Sequence, residues 1–236
     1  MKVPDAFGVG SGPANLAVAV ALEEDLYASS PALRGAHLFA DARTTPIWHP
    51  GLLFPESTMQ ISFLKDLATT ADPRSSFTFL NTCTGRGAYT NSSIYAPSTR
   101  AAWSSIRTCV GAARLAHLVR FGCRVQRIDL EAPEDPAHSR LGISTVCEAT
   151  GQEERFSARC LILADGGYPL WPLPKPPSDF RRIFHGSVTL ERLKELGIGQ
   201  EARLVFHIVG SGQSAVPLAA SGCSRNSNSS RTLAAP

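Results

Sequence analysis

Apolar and polar positions along this chain fall into short runs broken by glycine and proline. Asp5 to Val9 reads as a brief buried strand that runs into the glycine turn Gly8-Val9-Gly10-Ser11-Gly12. Pro13 then stands at the first helical position, where its missing N–H costs nothing. From Ala14 to Leu22 nearly every residue is an apolar helix former, Asn15 excepted, so a helix buried against a sheet is predicted. Glu23, Glu24 and Asp25 close it on the acidic side, which the helix dipole mildly disfavours. Ala36 to Ala40 is a second strand, closed by Asp41. Trp48 to Thr70 reads as a loop followed by a short helix. A turn at Asp72-Pro73 and an apolar stretch from Phe77 to Leu80 come next.

The rhythm then changes. Cys123 to Leu130, Gly142 to Cys147 and Glu154 to Ala158 are three strands of a meander separated by turn formers. Cys160 to Ala164 is a buried strand ending on Asp165-Gly166-Gly167, and Pro169 to Pro177 is a proline-rich connector. Ala202 to Val209 is a strand leading into a second glycine turn, Gly210-Ser211-Gly212, after which Gln213-Ser214-Ala215 begins a helix soon met by Pro217. Ser221 to Pro236 is rich in serine and asparagine and buries too little to offset its ordering entropy, so disorder is expected there. No repeat of solenoid length is visible.

Composition narrows the class. The chain has 236 residues, 43% hydrophobic and 18% charged, which suits a globular protein of one large domain or one domain with part of another. A net charge of +3 is small and unclustered and does not point to nucleic acid. No apolar run reaches the roughly eighteen residues of a membrane span. The first residues lack a signal-peptide apolar region, so a cytoplasmic location is expected. Cys83, Cys109, Cys123, Cys147, Cys160 and Cys223 make no C-x-x-C pair, so neither a zinc site nor a disulfide framework is expected.

The chemistry lies in the two glycine turns. A turn of this kind lets a pyrophosphate approach the unpaired N–H groups at a helix start. An acid ending the second strand, here Asp41, is the partner a ribose hydroxyl needs. Two such turns suggest two dinucleotides, and flavin with nicotinamide is the usual combination.

Several segments, in one order, carry a more specific signal. They are Gly8-x-Gly10-x-Gly12-Pro13-Ala14-Asn15-Leu16, Trp48-His49-Pro50-Gly51, the block from Met59 to Thr69, the block from Asp72 to Asn81, and Gly210-Ser211-Gly212-Gln213-Ser214-Ala215. Together they resemble the N-hydroxylating flavoprotein monooxygenases, the L-ornithine N5-monooxygenases and L-lysine N6-hydroxylases of siderophore biosynthesis. The long block from Met59 to Asn81 weighs most. The resemblance covers Asp5 to about Leu80 and roughly Phe121 to Ala215, and it is poor from Thr82 to Ala113 and after Ala215. A shifted reading frame or a wrongly assigned splice would leave such a pattern.

The resemblance implies an α/β fold. A Rossmann-like, three-layer FAD-binding domain with a β-meander would span residues 1–200, an incomplete NADPH-binding domain would begin at 201–220, and a disordered tail would occupy 221–236. It implies FAD and NADPH as cofactors and L-ornithine or L-lysine with O2 as substrates, in a homo-oligomer free of nucleic acid and membrane. NADPH reduces FAD, the reduced flavin captures O2 as a C4a-hydroperoxyflavin, and the side-chain amine becomes a hydroxylamine. Gly8, Gly10 and Gly12 would cradle the FAD pyrophosphate. Asp41, where the family usually has glutamate, would take the adenosine ribose. Trp48 and His49 would line the flavin side, and Gln60 would reach the flavin near its reacting carbon. Val125 would touch the adenine through its backbone. Lys65 would pair with the substrate α-carboxylate, and Gly210, Ser211, Gly212 and Gln213 would hold the NADPH pyrophosphate. Two alternatives stand beside this reading. One is a non-catalytic fragment of such an enzyme; the other, a disulfide reductase, is disfavoured by the missing redox cysteine pair.

Overall fold

The structure is a computed structural model that describes residues 4–46, 50–52, 54, 64–84, 114–132, 139–167, 171, 182–197, 205–210, 212, 214–216, 218–219 and 233–234. The chain divides into two compact units. One comprises Met1–Trp48, Ile61–Thr90 and Ser105–Gly167, and the other His49–Gln60, Asn91–Ser104 and Tyr168–Pro236.

The first unit is built on a parallel sheet. Strands β1 (Ala6–Val9), β2 (His37–Asp41), β3 (Val119–Phe121) and β7 (Cys160–Leu163) lie in the order β3-β2-β1-β7. All three pairings are parallel, with Gly8 opposite Phe39 and Val9 opposite Leu163. That registry gives Gly8 its purpose, because a Cβ there would sit 2.1 Å from the Phe39 ring. Helix α1 (Pro13–Ala21) joins β1 to β2 and buries Asn15, Leu16, Ala19 and Val20. Phe39 joins Leu16, Ala19 and Val20 in one core cluster. Removing the Leu16, Val20 and Phe39 side chains from water stabilises by about 1.5–3 kcal/mol each.

On the second cluster Phe7 and Ala40 meet Ile143, Phe156 and Ala158 of the meander, so the parallel sheet lies between helix and meander. Strands β4 (Cys123–Glu131), β5 (Arg140–Cys147) and β6 (Glu153–Ala158) form that antiparallel meander, with a bulge between Val125 and Arg127. Its three strands match the sequence pattern within two residues at each end.

Within the sheet, β3 was not among the expected strands, and β7, expected to be buried, exposes Cys160 and Leu163. Outside it the chain departs from the sequence pattern in three places. The helix does not stop at the acidic triplet but continues through a wider π turn (Leu22–Leu26) and a last turn, α2 (Tyr27–Ser29). Two of the three acids find partners that offset the dipole penalty. Glu23 pairs with Arg34 and His117, and Glu24 accepts from the Ser76 N–H and hydroxyl at 2.9 and 2.7 Å. Tyr27, fully buried, draws the extra turn into the core. Residues 64–70, expected to be helical, form turns instead. The Asp66 carboxylate accepts from the N–H of Ala68 and Thr69, the Thr69 hydroxyl and the Phe79 N–H, an alternative to helical pairing. Helix α3 (Phe79–Thr84) starts where Asp66 takes its N–H.

In the second unit, helix α4 (Thr189–Glu195) follows a 3-10 turn at Gly186–Val188. Here the third departure appears. Extended pairing before Gly210 is limited to β8 (Ile208–Val209), with 205–207 irregular and 201–204 outside the described residues. Of the tail expected to be disordered, 233–234 are described, and they pair in parallel with β8 as β9 (Leu233–Ala234).

Candidate functional site

The sheet's C-terminal edge gathers the first group of site residues. Gly10 ends β1 with φ +85°, a left-handed conformation open to glycine. A Cβ there would also lie 2.5 Å from the Ala164 carbonyl oxygen at the end of β7. Gly12 differs, because its Cβ position has no atom within 4 Å, and Gly12 is the residue capping α1. The turn thus presents open space at a helix start, where the first N–H groups lack intrahelical partners. That is the shape a pyrophosphate fills.

Asn15 fixes this turn from behind. Its side-chain amide donates to the Val9 carbonyl at 3.0 Å and the Gly10 carbonyl at 2.7 Å. Its side-chain oxygen is buried and has no hydrogen-bond partner among the described residues. In the sequence Asn15 stands out as the polar exception in an apolar helix and as part of the Gly12-Pro13-Ala14-Asn15-Leu16 segment, but neither marks it as a brace for the turn.

Asp41 ends β2 beside the same turn and is 5% exposed. One carboxylate oxygen accepts from the Ser11 N–H at 2.8 Å, the Ser11 hydroxyl at 2.7 Å and Arg43 Nη2 at 2.8 Å. The other accepts from the Arg43 N–H at 2.9 Å and Nε at 3.0 Å. Burial pushes the Asp41 pKa up, yet the hydrogen bonds from Arg43 and then Ser11 together outweigh it and hold the carboxyl well below the usual carboxylate range. Ser11 and Arg43 are thereby part of the site, which residue pattern alone does not reveal.

Val125 lies on β4, opposite Thr145, and packs against the cluster that holds Phe7 and Ala40. Lys65 is exposed in the turn that Asp66 organises. Burial raises the Asp66 pKa, but the Phe79 N–H, then Thr69 and Ala68, more than reverse this, so Asp66 stays ionised and anchors Lys65's segment to α3.

The second glycine turn lies in the other unit. Gly210 takes φ +115°, and a Cβ on Gly212 would meet nothing within 4 Å. The Ala215 N–H bonds the Gly212 carbonyl at 2.9 Å, the start of a helical turn. Trp48, His49, Gln60, Ser211 and Gln213 lie outside the described residues. Among the described residues no group of His, Cys, Asp and Glu could hold a metal, and no helix is long and apolar enough to cross a membrane.

The family model for L-lysine 6-monooxygenase/L-ornithine 5-monooxygenase matches residues 2–234 of this chain. The chain belongs to that family. The match runs across 82–113 and past Ala215, further than the motifs alone extend. An L-ornithine N(5)-oxygenase of Arthrobotrys oligospora is 34% identical over 98% of the chain and 47% of its own length. An alcaligin biosynthesis enzyme of Bordetella pertussis is 36% identical, covering 91% of the chain and 43% of its own length. The solved ornithine N-hydroxylase of Kutzneria sp. 744, with reduced FAD, NADP+ and L-ornithine, superposes with a TM-score of 0.77 at 30% identity, over 93% of this chain and 50% of that one. The mixed α/β fold with a parallel sheet is therefore that of the flavin-dependent ornithine hydroxylases. The chain spans about half the length of the relatives it matches.

Proposed function

We propose that this chain binds FAD at the Gly8–Gly12 turn and serves NADPH-dependent N-hydroxylation of the side-chain amine of L-ornithine, with L-lysine the alternative substrate. In this reading the flavin-binding domain runs to about residue 200 and the nicotinamide domain opens at 201–220. The observation that carries the proposal is the open Gly12 position at the start of α1, flanked by a strand-end carboxylate. Bound flavin supplies the activation of O2. The chain's own residues bind and orient.

Gly10 and Gly12 admit the pyrophosphate, and Asn15 keeps the turn's carbonyls facing inward. Asp41 offers its oxygens to the ribose. A carboxylate has about four lone-pair sites, and Ser11 and Arg43 supply five donors, so the Arg43 guanidinium has to yield when ribose hydroxyls arrive. Val125 closes the adenine side, and Trp48, His49 and Gln60 line the flavin ring. Lys65 pairs with the substrate α-carboxylate, leaving the distant amine to face the flavin. That amine must be neutral to act as a nucleophile, against a solution pKa of about 10.4 for a lysine-type amine. Gly210, Ser211, Gly212 and Gln213 receive the NADPH pyrophosphate.

The test separates binding from folding. Gly12→Val adds bulk where the fold leaves room, so its thermal midpoint stays near the parent's while FAD affinity falls at least tenfold. Equal FAD affinity in the two proteins refutes the pyrophosphate assignment. A second reading is favoured by the chain's half-length match: a non-catalytic fragment of such an enzyme, whether or not it holds flavin. Flavin absorbance without ornithine-dependent hydroxylamine formation selects that reading.

A further inference from the structure

Two cysteines that are far apart in sequence meet in the meander. Cys123 opens β4 and Cys147 ends β5, and the antiparallel register places them directly opposite each other. The hydrogen bonds around them define the pair's type. The Glu148 N–H donates to the Gly122 carbonyl at 2.8 Å, one residue outside the pair, while the Cys147 N–H turns away to the Gln152 carbonyl at 2.9 Å. That is the non-hydrogen-bonded kind of antiparallel pair, whose Cα atoms approach to about 4.5 Å with side chains on the same face. A disulfide spans Cα separations of about 4.4–6.8 Å. Both thiols are free and half-buried, so a small oxidant reaches them without unfolding the sheet.

Cys160, also free, lies on β7 opposite Ala6 and faces no cysteine there. Hydrogen bonds from the Thr150 hydroxyl, then from the Thr150 and Ala149 backbone, lower the Cys147 pKa and favour its thiolate. Cys147 is therefore the attacking sulfur of the two.

We propose that Cys123 and Cys147 are a peroxide-sensitive dithiol that closes into a cross-strand disulfide. The Cys147 thiolate attacks one oxygen of hydrogen peroxide, the O–O bond breaks, and the other oxygen leaves as water after taking a proton. Cys147 is then a sulfenic acid. The Cys123 sulfur attacks that sulfur, the S–S bond forms, the S–O bond breaks, and the departing hydroxide takes the Cys123 proton to make a second water. Two thiols and one peroxide become one disulfide and two waters, with both sulfurs oxidised and both peroxide oxygens reduced. The bond would tie β4 to β5 two residues before Val125, on the face that packs against Phe7 and Ala40.

The test needs no cofactor and so stands apart from the proposed flavin chemistry. The full chain is treated with hydrogen peroxide, alkylated, digested with trypsin without reductant and read by mass spectrometry. Cleavage at Arg120, Arg124, Arg140 and Arg155 isolates Cys123 on residues 121–124 and Cys147 on residues 141–155. The expected result is one species joining those two peptides, lighter by two hydrogens than their sum and lost on reduction. In Cys123→Ser the joined species disappears and dimedone captures Cys147 as its sulfenic acid. The proposal is overturned if both peptides stay alkylated in the unmutated chain, or if Cys147 is joined to any other cysteine. The unmutated chain alone decides between these outcomes, whether or not the variant folds.

Discussion

Asp41 and His37 stand at opposite ends of β2, and each ties stability to pH. Asp41 has a folded pKa below its ordinary value of 3.8, so its contribution is present above that value and is lost as the pH falls towards the folded pKa. His37 is also lowered, by burial first with Asp5 pulling the other way, from an ordinary 6.5. For a base the charged form is then the disfavoured one, so the fold loses stability as the pH falls through about 6.5. The Tyr27 hydroxyl, 2.8 Å from His37 Nδ1, holds the neutral ring in place. Urea midpoints should therefore drop in two steps, one as the pH falls below about 6.5 and another below about pH 4. In His37→Phe the upper step should vanish while the lower remains. An unchanged upper step in that variant would assign it to another group. Asp41→Asn faces an amide donor towards the Ser11 and Arg43 donors and should cost about 1–3 kcal/mol at neutral pH, read from urea unfolding.

At the scale of elements, β1, the glycine turn and α1 act as one device, and its three glycines have three different reasons to be there. Gly8 makes room for Phe39, Gly10 needs its left-handed backbone beside Ala164, and Gly12 leaves a void. Gly10→Ala should lower the thermal midpoint by a cost of about 1–3 kcal/mol from backbone strain alone, measured without any ligand. Gly12→Ala should leave that midpoint within about 1 kcal/mol of the parent. Equal losses in both variants would contradict the division of labour. Strands β1, β2 and β7, the turn and the start of α1 were legible because short apolar runs next to glycine and proline carry them locally, whereas β3 was not among the expected strands. The β4-β5-β6 hairpins were legible for the same reason. The continuation of the helix past Leu22 was not, since it depends on Arg34, His117 and Ser76 reaching back to the acids. Nor was the turn structure at 64–70, where one carboxylate, Asp66, outcompetes helical pairing through a contact at Phe79. Ser11 was missed as Asp41's partner for the same reason, since that strand-to-turn contact is thirty residues long in sequence, whereas Arg43 is only two residues from Asp41 and no pattern of apolar and polar positions marks its fold back onto the carboxylate.

Over the whole molecule, the sequence match to N-hydroxylating monooxygenases spans nearly the full chain but about half of each relative. The first unit holds the Gly8–Gly12 turn, the strand-end acid and Lys65, so the proposed FAD binding and the proposed recognition of the substrate carboxylate can both be examined on this chain itself. Lys65 is exposed in a turn that Asp66 anchors through four hydrogen bonds, so removing its charge should leave the fold intact. With the flavin-loaded chain, Lys65→Ala should weaken L-ornithine binding at least tenfold, as expected for a lost charge-assisted contact of about 1.5–3 kcal/mol. FAD affinity should stay the same. Putrescine, which keeps both amines but lacks the carboxylate, should bind parent and variant alike. That pairing of ligands isolates the carboxylate contact from any general loss of the pocket. If Lys65→Ala weakened putrescine as much as ornithine, the lysine would be supporting the turn rather than reading the substrate, and selection of an amino acid over a diamine would have to come from other residues.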